Sequence, residues 1–464
     1  MLRTRSASTA IGAASDARDG TVRGERVASL LGLALTIVGI AAALLTIAKR
    51  PGWPVSADLD IYLDAAKLFV QGQSPYILDA DRDPFAYPPF LAGLVGLIGQ
   101  GIGYGKLWIF WPCLSIGLLA GCVLLLRRFG RIMPDGWLLL ATGVLLCSRA
   151  IRSDLFHGQI NILLLFVLLL GLRSFLNRAT VRGSAAWAFV IVCKPFMGVL
   201  VFYLLFRRGW RAAVMTAGIA AVLFLGPFLM IGSPLAAVRG WVAASTFYTT
   251  LPAGARPDHQ SLPALAKRLF AENPFSVPWI DAPVLAQAVS VLAAIAAVTV
   301  FLAAIAMDRG RAEAADDTTD TGRPLAEVGL TVGLALSCGP LLEGDHLILI
   351  WPALYGSVLC AQRAAAKSRI ERGRWISAAA AWCAVFWIFT LPVIVPFVVS
   401  PTWPVLEGAR ILLSGRNGIM VLVACLFTAS ALRASAASRI DALEGHRAPQ
   451  GSRLQSLGTS SSRI

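Results

Sequence analysis

One carboxylate stands out by its position. In the segment 58–72, DLDIYLDAAKLFVQG, a helical repeat of 100° per residue puts Asp58 on one stripe with Ile61, Tyr62, Ala65 and Phe69. Asp60, Asp64, Lys67 and Gln71 fall on the other side, and Gly72 is placed to end the helix. A carboxylate on the packed side is costly unless it has a partner or a task in acid–base chemistry. The competing reading is that Asp58 only caps the helix N-terminus, as Asp commonly does. A second charge, Lys194, interrupts an apolar run. An unpaired ammonium there costs about 2.5–3.5 kcal/mol on an insertion scale.

The elements that must position these groups follow from composition. Of 464 residues, 57% are hydrophobic and only 14% charged, with a mean hydropathy of +0.70. A soluble domain of this composition would expose far more apolar surface than monomers tolerate. The expected fold class is therefore all-α: a polytopic transmembrane bundle of about 12 helices, each crossing needing roughly 20 apolar residues. Apolar runs place the spans near 27–48, 106–126, 136–149, 159–176, 185–195, 196–206, 211–231, 281–306, 325–341, 346–362, 375–399 and 409–432. The pair at 185–206 is too short for two full crossings and reads as a hairpin broken at Lys194 and Pro195. The stretch 88–101 reads as a re-entrant or surface-lying helix. Residues 1–26 and 433–464 are polar and are expected to be disordered cytoplasmic tails around a membrane-embedded domain at 27–432.

Net charge is +15, but the cations sit in short gaps between apolar runs, which points to membrane topology rather than nucleic acid. Arg127, Arg128, Arg131, Arg173, Arg178, Arg182, Arg207, Arg208, Arg211 and the loop from Arg363 to Arg374 share one side, read as cytoplasmic. The opposite, external face carries loops 49–105 and 232–280 and the segment 342–346. His157, His259 and His346 fall there, so the chemistry is expected there too. The eight cysteines have no metal-like spacing and read as small buried hydrophobes.

The motifs come in a recognisable order: D-L-D-I-Y and G-Q-S-P-Y (58–76), Y-P-P (87–89), H-G-Q-I-N (157–161), K-P-F with Y-L-L-F-R-R-G-W-R-A (194–212), H-Q-S-L (259–262) and E-G-D-H-L (343–347). In this order and spacing the chain resembles glycosyltransferase family 87, polyprenyl-phosphate-mannose-dependent α-mannosyltransferases of the glycosyltransferase C superfamily. The resemblance implies a juxtamembrane helix in the first external loop with Asp58, four residues before Tyr62, as catalytic base. His259-Gln260-Ser261 stands where many members have N-Q-S.

Transfer from a lipid-phosphate sugar needs a base, cations for the departing phosphate and a groove for the isoprenoid chain. Asp58 fits the base, and direct attack on the donor would invert its anomeric centre. Arg152, Lys194 and His346 are expected to hold the phosphate, while Arg149 snorkels to the interface. Lys267 and Arg268 serve the phosphate or bind lipid headgroups. Tyr62, His157, Gln159, Asn161 and Gln260 complete the expected substrate contacts. His157 and His259 also read as loop residues satisfied by local hydrogen bonds, and Gln159 and Asn161 as helix-to-helix bonds. Glu343 and Asp345 read as secondary acids or solvated loop residues.

No nucleotide-binding signature is present. Asp316-Asp317-Thr318-Thr319-Asp320 reads as a solvated cytoplasmic linker. No metal or other cofactor is expected, because a lipid-phosphate donor does not need a metal to bind a diphosphate. The expected partners are a polyprenyl-phosphate sugar donor, a lipid or glycan acceptor and membrane lipids, in a bacterial-type plasma membrane with the site on the external face. An arabinofuranosyl or other lipid-phosphate sugar transferase remains open, as does a transporter or flippase of lipid-linked sugars. The latter calls for ionisable residues at mid-membrane, and Lys194 is the one so read.

Overall fold

The computed structural model describes residues 58–78, 83–130, 146–305, 321–339 and 342–365, with 26–27, 29–42, 44–45, 139, 142–143, 419 and 421–432. The expected span 375–399, most of 136–149 and 409–418, the basic loop beyond Arg363, the linker at 316–320, the C-terminal tail and nearly all of 1–26 lie outside the described residues. Among the described residues the protein is all-helical. In chain order the helices are α1 (Ser29–Ala42), α2 (Asp58–Val70), α3 (Pro89–Ile102), α4 (Leu107–Phe129), α5 (Arg149–His157), α6 (Asn161–Leu176) and α7 (Thr180–Cys193). Then come α8 (Val199–Arg207), α9 (Trp210–Leu225), α10 (Pro234–Phe247), α11 (Leu262–Phe270), α12 (Pro283–Ile305), α13 (Gly322–Cys338), α14 (Trp351–Ala365) and α15 (Val421–Leu432).

Among the described residues, three helical stretches are long and apolar enough to cross a bilayer: Tyr104–Phe129, Trp210–Met230 and Pro283–Ile305, of 26, 21 and 23 residues. A fourth exists only if α5 and α6, which meet at 112°, count as one bent span. The remaining apolar helices have 10–17 residues. The described residues show fewer such stretches than the expected crossings of about twelve: backbone breaks divide some of the apolar runs, and other expected spans lie outside the described residues. At 185–206 the expected break is found. Helix α7 ends at Cys193, Lys194 turns to an extended conformation, and Pro195, which has no N–H to continue the ladder, opens a 3-10 turn before α8.

Two close helix contacts fix the scaffold. Between α13 and α14 the backbones touch: a Cβ on Gly329 would stand 1.9 Å from the Ala353 nitrogen, and one on Gly356 2.3 Å from the Ala326 nitrogen. Small residues allow this approach, which brings van der Waals packing where lipid supplies no hydrophobic drive. At the start of α13, Glu327 is buried and accepts from Arg207 Nε at 3.0 Å and Nη2 at 2.5 Å, and from Arg323 Nε at 2.9 Å. Glu327 is thus an intrahelical acid that the reading of the sequence overlooked. It joins α13 to the end of α8.

The helix α2 follows the expected wheel. Tyr62, Ala65 and Phe69 are buried, whereas Asp64 and Lys67 are exposed and pair at 3.1 Å. The buried side is wider than expected and takes in Leu59, Leu63 and Ala66, because α3 lies against it. Gly93 and Gly96 of α3 meet Phe69 and Val70.

Candidate functional site

Asp58 is the first helical residue of α2 and is half-buried. One turn on, Tyr62 is fully buried. Its hydroxyl lies 3.1 Å from Gln159 Oε1 and 3.1 Å from the Tyr87 hydroxyl. The Gln159 side chain also hydrogen-bonds Asp58. With its oxygen taken by Tyr62, the amide NH₂ is the group left to donate to the carboxylate. Its main-chain carbonyl accepts from Trp111 Nε1 at 3.2 Å, which holds the residue in place.

Gly158 explains how Gln159 reaches this spot. It ends α5 in the left-handed region (φ 66°, ψ 37°) and donates its N–H to the Asp154 carbonyl. A Cβ there would stand 2.7 Å from Leu59 Cβ. Only glycine meets both demands without strain. The corner it makes sends α6 away from α5 and lays Gln159 and Asn161 against the start of α2.

Lys194 and His346 supply the other wall. Both are nearly fully buried, and Lys194 Nζ contacts His346 Nε2 directly. His346 Nδ1 accepts the Glu343 backbone N–H at 2.9 Å. A neutral ring with Nδ1 as acceptor carries its proton on Nε2, so two nitrogen-bound donors face one another. Asp345, also buried, accepts from Asn161 Nδ2 at 2.8 Å. Asp154, fully buried on α5, leans on Asn161, yet neither of its oxygens completes a well-formed hydrogen bond.

Charge in this cluster is unbalanced. Four carboxylates, Asp345, Glu343, Asp58 and Asp154, act electrostatically on one ammonium, Lys194. Burial, followed by the negative charges of Glu343 and Asp345, holds the Asp58 carboxyl well above the usual carboxylate range, against the opposing pull of Lys194 and Gln159. Burial and then Asp345 push Glu343 up to about 8. Burial likewise raises the phenols of Tyr62 and Tyr87.

A loop from 253 to 261 closes the site. The Gln260 N–H donates to the Leu342 carbonyl at 2.7 Å, tying this loop to the 342–346 segment. Arg268 is 1% exposed and donates to the carbonyls of Ala255, Arg256 and His259 at 3.4, 2.8 and 2.8 Å. It organises the loop instead of facing lipid headgroups, and Lys267 bonds the Thr249 carbonyl. Arg256 bridges Asp83 and Asp258 at 2.7 and 2.9 Å.

Of the residues expected to act, Asp58, Tyr62, Gln159, Asn161, Lys194 and His346 converge, and Gln260 joins through its backbone. Arg152 and His157 do not enter this network. Arg152 is half-buried near Cys147 with its Nε unpaired. His157 sits 3.2 Å from Ser153 Oγ with its ring against Phe156. The Arg149 side chain lies outside the described residues. Glu343 and Asp345 belong to the cluster, and Asp345 is 2% exposed instead of solvated. His259 leans on the Ala253 carbonyl of its own loop, but neither ring nitrogen completes a well-formed hydrogen bond. Tyr87 and Asp154 were missed. The Y-P-P motif had carried Tyr87 only as part of the family resemblance, and an acid three residues before His157 was the available signal for Asp154.

The sequence model of glycosyltransferase family 87 matches residues 85–319, a little over half of the chain. The chain belongs to glycosyltransferase family 87. It is thus a membrane glycosyltransferase with a sugar donor and an acceptor as substrates. No match was found among curated proteins. The family match includes Tyr87, the HGQIN corner, Lys194 and the loop at 259–261, but neither Asp58 nor the 343–347 segment. Both pack against matched residues, Asp58 on Gln159 and Asp345 on Asn161.

Proposed function

We propose that this glycosyltransferase moves mannose from a polyprenyl-phosphate donor to a hydroxyl of a lipid-linked or glycan acceptor on the external face of a plasma membrane. The observation that carries this reading is the meeting of Asp58 with the Lys194–His346 pair in one buried cluster. Asp58 takes the proton of the acceptor hydroxyl as its oxygen attacks the anomeric carbon. The carbon–oxygen bond to phosphate breaks, and polyprenyl phosphate leaves with the electron pair. Attack from the face opposite the phosphate inverts the anomeric centre.

Lys194 and His346 suit the leaving phosphate. Two donors that cannot satisfy one another both gain from an anionic oxygen, at a place where water is excluded. Gln159 is a positioning residue for Asp58, and Asn161 for Asp345. The raised affinity of Asp58 for protons suits a general base working near neutral pH.

The test is transfer of radiolabelled mannose from polyprenyl-phosphate mannose to a lipid extract, with polyprenyl-phosphate arabinofuranose run in parallel. Label is expected in a glycolipid from mannose and wild-type protein, with a loss of about 10²–10⁴-fold in Asp58→Asn. A folded Asp58→Asn protein that keeps more than roughly a tenth of the rate rejects Asp58 as base. Transfer from the arabinofuranose donor alone rejects mannose.

A further inference from the structure

Glu343 belongs to a second group of side chains as well. One ligand atom each from Asp258, His259 and Glu343 lie within 4.8 Å of one another, and His259 Nε2 is 3.6 Å from Glu343 Oε1. His259 is 1% exposed, and neither ring nitrogen completes a hydrogen bond within the protein. Buried polar atoms nearly always find partners. A buried imidazole grouped with two carboxylates, with neither nitrogen well bonded, has the disposition of a metal ligand.

The loop presents this residue rigidly. The His259 ring packs edge-on to Tyr248 at 5.5 Å, while the residue's backbone N–H donates to the Arg256 carbonyl at 3.1 Å and its backbone carbonyl accepts from Arg268 at 2.8 Å. Asp258 accepts from Arg256 at 3.2 and 2.9 Å. Each carboxylate oxygen still has a lone pair free, and hydrogen bonds of this kind orient ligating carboxylates.

We propose that Asp258, His259 and Glu343 bind one divalent transition-metal ion. One imidazole with two carboxylates suits Mn²⁺ or Zn²⁺, with bonds of about 2.0–2.2 Å. The ion has two duties. It pins the 253–261 loop to the 342–346 segment, and it adds positive charge where Asp58, Asp154 and Asp345 outnumber Lys194. An anionic donor approaching that excess of carboxylates would otherwise be repelled. The expectation of no metal rested on the donor having a single phosphate. Balancing the site's own carboxylates is a different reason for a cation, and it does not depend on the sugar transferred.

The experiment uses the full-length protein in detergent, stripped with chelator and equilibrated with Mn²⁺ alone or Zn²⁺ alone. Bound metal is read by elemental analysis, the Mn²⁺ environment by electron paramagnetic resonance and the thermal midpoint in parallel. Wild type is expected to retain about one equivalent of one of the ions and to melt higher with it. His259→Ala and the isosteric Glu343→Gln are expected to lose both effects, while Asp58→Asn, the variant that tests glycosyl transfer, keeps them. Wild-type protein that retains neither ion overturns the proposal. So does retention by folded Glu343→Gln and His259→Ala at wild-type affinity.

Discussion

Two carboxylate clusters stand at the two ends of α13 and are built on opposite plans. At the first turns, Glu327 receives two hydrogen bonds from Arg207 and one from Arg323, with the Tyr203 hydroxyl 3.5 Å away. Two guanidinium groups face one acid, and its oxygens are occupied. Beyond the other end, four carboxylates surround Lys194, and its closest partner is another nitrogen, on His346. The Asp154 carboxylate oxygens and the His259 ring nitrogens complete no well-formed hydrogen bond. The difference separates a joint from a site. A saturated ion pair specifies how helices pack, whereas an unsaturated cluster stores unmet bonding capacity that only a ligand uses.

If that contrast holds, substitutions in the two clusters fail differently. The largest effect is Asp58→Asn, which should lower turnover by about 10²–10⁴-fold while leaving the melting midpoint near wild type. Glu327→Gln should do the reverse. With two half-buried arginines deprived of their buried carboxylate, it should cost up to about 3 kcal/mol of stability, seen as earlier thermal unfolding, while transfer per folded molecule persists. Loss of transfer without loss of stability there would break the distinction.

Gly158→Ala tests the corner. Its strained left-handed backbone and the contact with Leu59 should shift Gln159 off Asp58, and a misplacement near 1 Å costs up to about 10²-fold in rate. The smallest effect concerns pH. Asp58 works only when ionised, so kcat/KM should fall as pH drops through its raised pKa. Asp345→Asn removes one of the negative charges that raise it, so the acid limb should move to lower pH in a pH–rate profile. A move to higher pH would show that Asp345 acts mainly by another route, through Asn161.

Much of this was legible in the sequence where one residue type carries one physical cost. Asp58 was found because a carboxylate on an apolar stripe needs a reason, and Lys194 because an ammonium before proline in an apolar run needs one. The breaks at 158 and 194 were foreshadowed by glycine and proline. What escaped were relations across long separations. Nothing near Glu327 announces that Arg207, 120 residues earlier, is its partner. Asp154 lies in a short polar segment that reads as a loop until α6 folds back over it. Arg268 was read as serving the phosphate or binding lipid headgroups, yet its Nη1 is directed at three carbonyls of the 253–261 loop. Hydropathy alone does not register the backbone breaks, such as that at Lys194 and Pro195, that divide apolar runs among the described residues.

The same long separations bear on how the protein is made. Lys194 and His346 are 152 residues apart, so at 5–20 residues per second roughly 8–30 s pass between their synthesis. During that interval α2 and the Gly158 corner are already synthesised, but Lys194 waits in an apolar setting without the histidine or the acids at 343 and 345. A nascent chain that stalls before residue 343 therefore holds Lys194 beside Asp58 and Asp154 alone. The cluster around Lys194 is completed only late in synthesis, when the 343–346 segment arrives.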